Sequence, residues 1–164
     1  MKIITLHQPW ASFIKEGFKT YETRSWATKY RGPLLIHAGK KKFKKSQYDS
    51  VMESYSEFFS VMGIDDLNEL PYGKILCITN LTEVVKTEVA YGHISMSNIK
   101  LGDWSPNRYG WKLDDVCPLI DPIQHSGQQG IRDYKTDLHE DDFIDRYTFG
   151  FYKHHQYKYR LENV

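Results

Sequence analysis

Three ionisable side chains lie within six residues in Gly17-Phe-Lys19-Thr-Tyr-Glu22-Thr-Arg24, and no other stretch restricts the fold as much. It follows a helix-like run, Gln8-Pro9-Trp10-Ala11-Ser12-Phe13-Ile14, and precedes a strand-like one, Arg31-Gly-Pro-Leu-Leu-Ile-His37-Ala38. Charges wedged between two core elements must pair with one another or serve a ligand, because a lone buried charge is expensive. The content of Thr, Tyr and Trp from Thr20 to Trp26 favours a strand. Strand alternation then puts Glu22 and Arg24 on one face, with Tyr21 and Thr23 on the other. Lys19 has the wrong parity for that face. It joins Glu22 only at the helix-to-strand turn, where Gly17 permits an unusual backbone path. Two readings stay open at this point: a charged cluster at a cleft, or an ion pair of Glu22 with Arg24 or Lys19 that holds a turn.

The rest of the chain frames this stretch without repeats, low-complexity tracts or linkers, and 164 residues suffice for one domain with its own core. Lys2 to Leu6 reads as a strand. Pro9 suits the first turn of a helix whose apolar face is Phe13 and Ile14, and Gly17 is a left-handed cap. Pro33 to Ala38 reads as a strand buried on both faces. Tyr48, Val51, Met52, Tyr55, Phe58, Phe59 and Met62 recur at helical spacing, predicting one long helix closed by Gly63. A helical turn is expected over Asp65 to Leu70, ending at Pro71. Long β segments follow at Lys74 to Val89 and Arg108 to Leu119. An amphipathic hairpin is expected over Tyr147 to Leu161, beyond an acidic segment from Asp133 to Asp145. Strands outnumber helices and no βαβ rhythm repeats. The expected class is α+β: a small, mostly antiparallel β-barrel flanked by a few helices.

Charge is unevenly spread. Residues 1–45 carry 11 of the 22 Lys and Arg and 2 of the 21 Asp and Glu, a local excess of +9 inside a net charge of +1. Such polarity suits a polyanion, unless the two halves interleave in space. No apolar run approaches the ~20 residues that cross a bilayer, and Met-Lys-Ile-Ile-Thr-Leu-His is too short and polar for a signal peptide. Cys77 and Cys117 each lie in an apolar run, as inert core thiols in a reducing cytoplasm do. No His/Cys set has metal-ligand spacing, and there is no Gly-rich phosphate loop or nucleophile elbow, so neither metal nor cofactor is expected.

The motif Gly17-x-Lys19-x-x-Glu22-x-Arg24 resembles the signature of the ASCH domain, a relative of the PUA-like β-barrels. Leu6-His-Gln8-Pro9-Trp10-Ala11-Ser12, Arg31-Gly32-Pro33-Leu34-Leu35-Ile36-His37-Ala38 and Tyr109-Gly110-Trp111-Lys112-Leu113 also resemble that family, over roughly residues 1 to 132 of a single domain 1–164. The resemblance implies a PUA-like barrel whose cleft is lined by Lys19, Glu22 and Arg24, and a role in binding RNA or a modified nucleobase. Some members resemble amidohydrolases that deacylate N4-acetylcytidine with a Lys and a Thr nucleophile, and others are ribonucleases. Here Glu22 stands at the Thr position. A water-based hydrolysis with Glu22 as general base and Lys19 as stabiliser stays open, as does a non-catalytic interaction adaptor.

Around the motif, Trp10, Trp26, Trp104, Tyr109 and Trp111 are flat enough to stack on a base, unless they are core aromatics. Gln8 and Asn107 carry amides that read base edges. Lys40 and the lysines that follow it, Lys41, Lys42, Lys44 and Lys45, form a basic run suited to phosphates. His37, in a buried strand, reads as a satisfied core histidine.

Overall fold

A computed structural model describes residues 1–143 apart from Thr136. The expected hairpin over Tyr147 to Leu161 lies outside the described residues. Six strands form one mixed sheet: β1 (Lys2–Leu6), β2 (Tyr21–Arg24), β3 (Gly32–Ala38), β4 (Lys74–Lys86), β5 (Tyr109–Gln124) and β6 (Ile131–Asp133), in spatial order β2-β5-β4-β3-β1-β6. Only β1 and β3 run parallel; the other four pairings are antiparallel. The sheet curls into a half-barrel, bringing its first strand in spatial order back towards β1. Arg24 Nη2 on β2 donates to the Thr5 carbonyl on β1 at 3.3 Å, although the two strands share no ladder.

Period-two alternation in β1 and β3 explains the double-sided burial. Ile4, Leu6, Leu34 and Ile36 face a cluster completed by Ala11 and Ile14, while Ile3 and Leu35 face Ile75, Ile78, Cys117 and Leu119. Ala11 and Ile14 belong to α1 (Trp10–Lys15), which packs against β3, β4 and β5. Cys77 on β4 and Cys117 on β5 are not joined in a disulfide and have no exposure. Burial pushes the Cys77 thiol far above its ordinary pKa.

The single helix expected over 48–62 is two, α2 (Lys45–Ser54) and α3 (Ser56–Met62), interrupted at Tyr55. The interruption lets the Tyr55 ring meet Phe13 and Trp10 edge-on, at centroid distances of 5.6 and 6.2 Å. Gly63 ends α3 at φ 66°, a left-handed cap as anticipated. Phe58, Phe59, Leu67 and Leu70 then pack around Phe13 in a third cluster. The Lys74 β segment stops at Lys86, three residues early, because Thr87 opens a short helix, α4 (Thr87–Ala90), and fixes its hydroxyl to the Ser105 and Arg108 carbonyls. A further short helix, α5 (Met96–Lys100), is capped by Ser95.

Candidate functional site

The charged stretch is built around the end of α1. Gly17, at φ 80°, reverses the chain so that its N–H reaches the Ile14 carbonyl and the Lys19 N–H reaches that of Phe13. Nothing lies within 4 Å of the place a Cβ would occupy at Gly17, so backbone conformation rather than space demands the glycine. This reversal drives the Lys19 side chain inward, leaving it 1% exposed.

Lys19 Nζ donates to the Leu101 carbonyl at 2.8 Å and lies 3.4 Å from Glu22 Oε2. Glu22 Oε1 lies 3.0 Å from Arg24 Nε. That second contact is an ion pair without a hydrogen bond, because Nε finds no aligned acceptor among the described residues. Glu22 therefore stands between two cations on the sheet edge, and each of its oxygens can accept again. Burial holds the Lys19 ammonium below its ordinary proton affinity, with Glu22 opposing that shift and Arg24 adding slightly to it.

The floor beneath this cluster comes from a segment more than seventy residues away. Asn98, on α5, accepts from the Thr20 and Tyr21 N–H groups through Oδ1, and donates through Nδ2 to the Thr20 and Ser95 hydroxyls. Three of these bonds lock the start of β2, the fourth ties the α5 cap, and together they bring the Leu101 carbonyl to Lys19. Trp104 Nε1 donates to the Asn98 carbonyl at 2.7 Å.

Two chambers open on either side of Glu22. One, of about 320 Å³, is bordered by Trp10, Lys19, Glu22, Thr23, Tyr55 and the 100–103 segment. The other, of about 500 Å³, is bordered by Thr5–His7, Trp10, Glu22, Arg24, Trp26 and the Gly127–Gly130 loop. Glu22 and Trp10 are the residues shared by both. Thr23 departs from the parity argument: it borders the Lys19 chamber, because the 100–103 segment folds against β2 and the Asp103 N–H donates to Thr23 Oγ1 at 3.0 Å.

The loop wall of the larger chamber rests on His37. The ring of this fully buried histidine contacts Thr5 Oγ1 through Nδ1 at 3.0 Å and the His125 carbonyl through Nε2 at 3.1 Å. A carbonyl only accepts, so Nε2 carries the proton and Nδ1 accepts from Thr5. A Cβ at Gly127 would lie 2.6 Å from the ring and 2.7 Å from Thr5 Oγ1, which is how closely the loop approaches.

Residues 4–116 match the sequence pattern of the ASCH domain, including the whole charged stretch and the edge strand β2 that carries its end. The chain belongs to the ASCH domain family. Two curated relatives, activating signal cointegrator 1 of Homo sapiens and of Mus musculus, are 32% and 31% identical over 80 residues. That match takes in 49% of this chain and 14% of either relative, so the chain corresponds to a small part of those proteins. Among solved structures, ASCH from Zymomonas mobilis aligns with a TM-score of 0.51 at 13% identity, over 83% of this chain and 88% of that one. A point variant of the same protein aligns at a TM-score of 0.50 and 13% identity, over 82% and 90%. At such low identity the likeness is one of fold.

Of the residues singled out from the sequence, this ASCH domain brings Trp10, Lys19, Glu22 and Arg24 into one cleft, and Trp26 borders the larger chamber. Gln8 lies behind Trp10 and is 1% exposed; its amide donates to the Pro71 carbonyl and accepts from the Ser12 N–H. Trp111 has no exposure, meets Trp26 edge-on at 4.7 Å, and donates its indole N–H to the Trp26 carbonyl. Tyr109 packs against the same cluster, opposite Arg24 in the ladder. Asn107 lies on an exposed turn at φ 65°, its N–H held by Glu88. Lys40 is exposed, with Nζ 3.5 Å from Ser126 Oγ. These five do not border the two chambers. Sequence reasoning missed Asn98, Leu101, Tyr55 and the Gly127–Gly130 loop. Only Ser95, spaced as an N-cap before Met96-Ser97-Asn98, signalled the helix that holds the floor. Among the described residues, no group of three His, Cys, Asp or Glu is placed to hold a metal.

Proposed function

We propose that this ASCH domain binds RNA, holding a nucleobase in the cleft between Trp10 and the Lys19–Glu22–Arg24 cluster. The observation that carries the reading is the position of Glu22, shared by two chambers and flanked by two cations. A carboxylate so placed accepts from an exocyclic amine, while the remaining Arg24 and Lys19 donors meet base carbonyls or phosphate oxygens. Trp10 supplies the stacking face, which suits unpaired rather than duplex RNA. Neither chamber depends on a ligand-induced rearrangement to exist, which lowers the ordering cost of binding.

The test is a panel of nucleosides and short RNAs, including N4-acylated cytidines, assayed by mass spectrometry for retention and conversion. Binding is expected to weaken steeply with salt, and Trp10→Ala to weaken it about tenfold, the effect of losing one stacked base. Affinity unaltered by Trp10→Ala and Glu22→Gln would move the site elsewhere. One observation favours a second, hydrolytic reading: burial lowers the proton affinity of Lys19 next to Glu22, and Thr23 borders the same chamber. Conversion of an N4-acylated cytidine, abolished by Lys19→Ala, supports that reading; an unchanged substrate after long incubation removes it.

A further inference from the structure

Trp10 borders a third depression as well. It encloses about 190 Å³ and is lined by His7, Gln8, Trp10, Lys41, Lys42, Phe43 and Gln47. His7 and Trp10 are also walls of the Arg24 chamber, so the two spaces are contiguous over one imidazole and one indole. No carboxylate lines the third depression, whereas Glu22 lines both others.

The two lysines there differ in what they already hold. Lys42 Nζ donates to Asn68 Oδ1 at 3.1 Å and stands 5.5 Å over the Tyr72 ring. Lys41 is exposed and makes no ion pair or hydrogen bond with a described residue. His7 is exposed on the same rim. Phe43 is half-buried, its inner edge packed against the Phe13 cluster, which fixes the ring from behind. A fixed aromatic, an uncommitted ammonium and a shared indole make a second nucleotide station.

We propose that the third depression continues the cleft, so that the ligand is a single-stranded RNA of two or more nucleotides rather than a free nucleoside. One base enters the Glu22–Arg24 chamber against Trp10; its neighbour lies against Phe43, past the His7 and Trp10 walls that the two spaces share. The Lys41 ammonium meets the phosphodiester between them, and Lys42 remains with Asn68. This extension rests on the cleft assignment above, and its failure is separable from the failure of that assignment.

The experiment uses the full chain and three probes: cytidine monophosphate, a labelled single-stranded hexaribonucleotide and the same hexamer annealed to its complement, titrated at several salt concentrations. Wild type is expected to bind the single strand at least about tenfold more tightly than the mononucleotide or the duplex. Lys41→Gln is expected to weaken the single strand about fivefold and to reduce the slope of log affinity against log salt by about 0.7, the value for one phosphate contact on a single strand. Phe43→Leu, which keeps the apolar packing and removes the ring, is expected to weaken the hexamer similarly. Phe43→Leu should leave mononucleotide affinity unchanged, and the Tm of each variant separates lost binding from lost folding. If both variants bind the hexamer like wild type, the extension is wrong while the cleft reading stands. A hexamer bound no better than the mononucleotide also overturns the extension. If none of the three probes binds at moderate salt, both proposals fall together.

Discussion

Replacing Glu22 by Gln keeps its shape but leaves the Lys19 ammonium, 1% exposed, with neutral acceptors in place of its carboxylate counter-charge. Removing one partner of a buried pair costs about 3–5 kcal/mol, and the 13% exposure of Glu22 places this pair near the lower end. Glu22→Gln is therefore expected to destabilise by about 3 kcal/mol in urea unfolding. The double variant with Lys19→Met is expected to lose less than the sum of the two single variants, because no orphaned charge remains. Additive losses would mean that Lys19 and Glu22 do not depend on each other. Arg24 is less committed, with an exposed quarter of its side chain and a buried Nε lacking an aligned acceptor. Arg24 is thus the cation that a ligand reorients at the smallest cost to the fold.

Asn98 is one residue, yet it joins two elements. Its side chain closes three hydrogen bonds between α5 and the entry to β2, and a fourth to the Ser95 cap of its own helix. Asn98→Ala strands the Thr20 and Tyr21 N–H groups, at about 1–3 kcal/mol for each group left unsatisfied. The expected outcomes are a stability loss of roughly 3 kcal/mol and faster amide exchange at Thr20 and Tyr21 than at β3; unaltered exchange there would show that β2 holds its place without α5. This clamp marks where sequence reasoning stopped. Gly17 and strand propensity made the charged turn legible, since both are local. Short, nearly continuous apolar runs did the same for β1 and β3. The floor of the cleft was not legible, because its carbonyl and amide come from a segment with no pattern beyond one capping serine. Tyr55 likewise fits the helical spacing of residues 48–62, and only tertiary contact with Phe13 and Trp10 reveals the interruption there.

At the scale of the whole molecule, stability is expected to depend on pH through His37. Burial, then the neighbouring His125, hold this imidazole below its ordinary value of 6.5, with Lys40 adding a smaller like-charge contribution. As pH falls through 6.5 the unfolded chain takes up a proton that the folded protein refuses. Stability fully present above 6.5 is therefore lost progressively below it, until the lower folded value is reached. Urea midpoints from about pH 7.5 down to about pH 5 should fall along that window, and a flat profile excludes the role of His37. No helix among the described residues is long and apolar enough to cross a membrane. Elsewhere in the core, the two thiols on β4 and β5 give the fold a reporter of its own opening. With no exposure and, at Cys77, a strongly disfavoured thiolate, alkylating reagents should add no mass to the native protein and two adducts to the unfolded chain. Intact-mass labelling then counts opened molecules without any engineered probe, and leaves position 41 free for a cysteine-linked dye on an otherwise silent background.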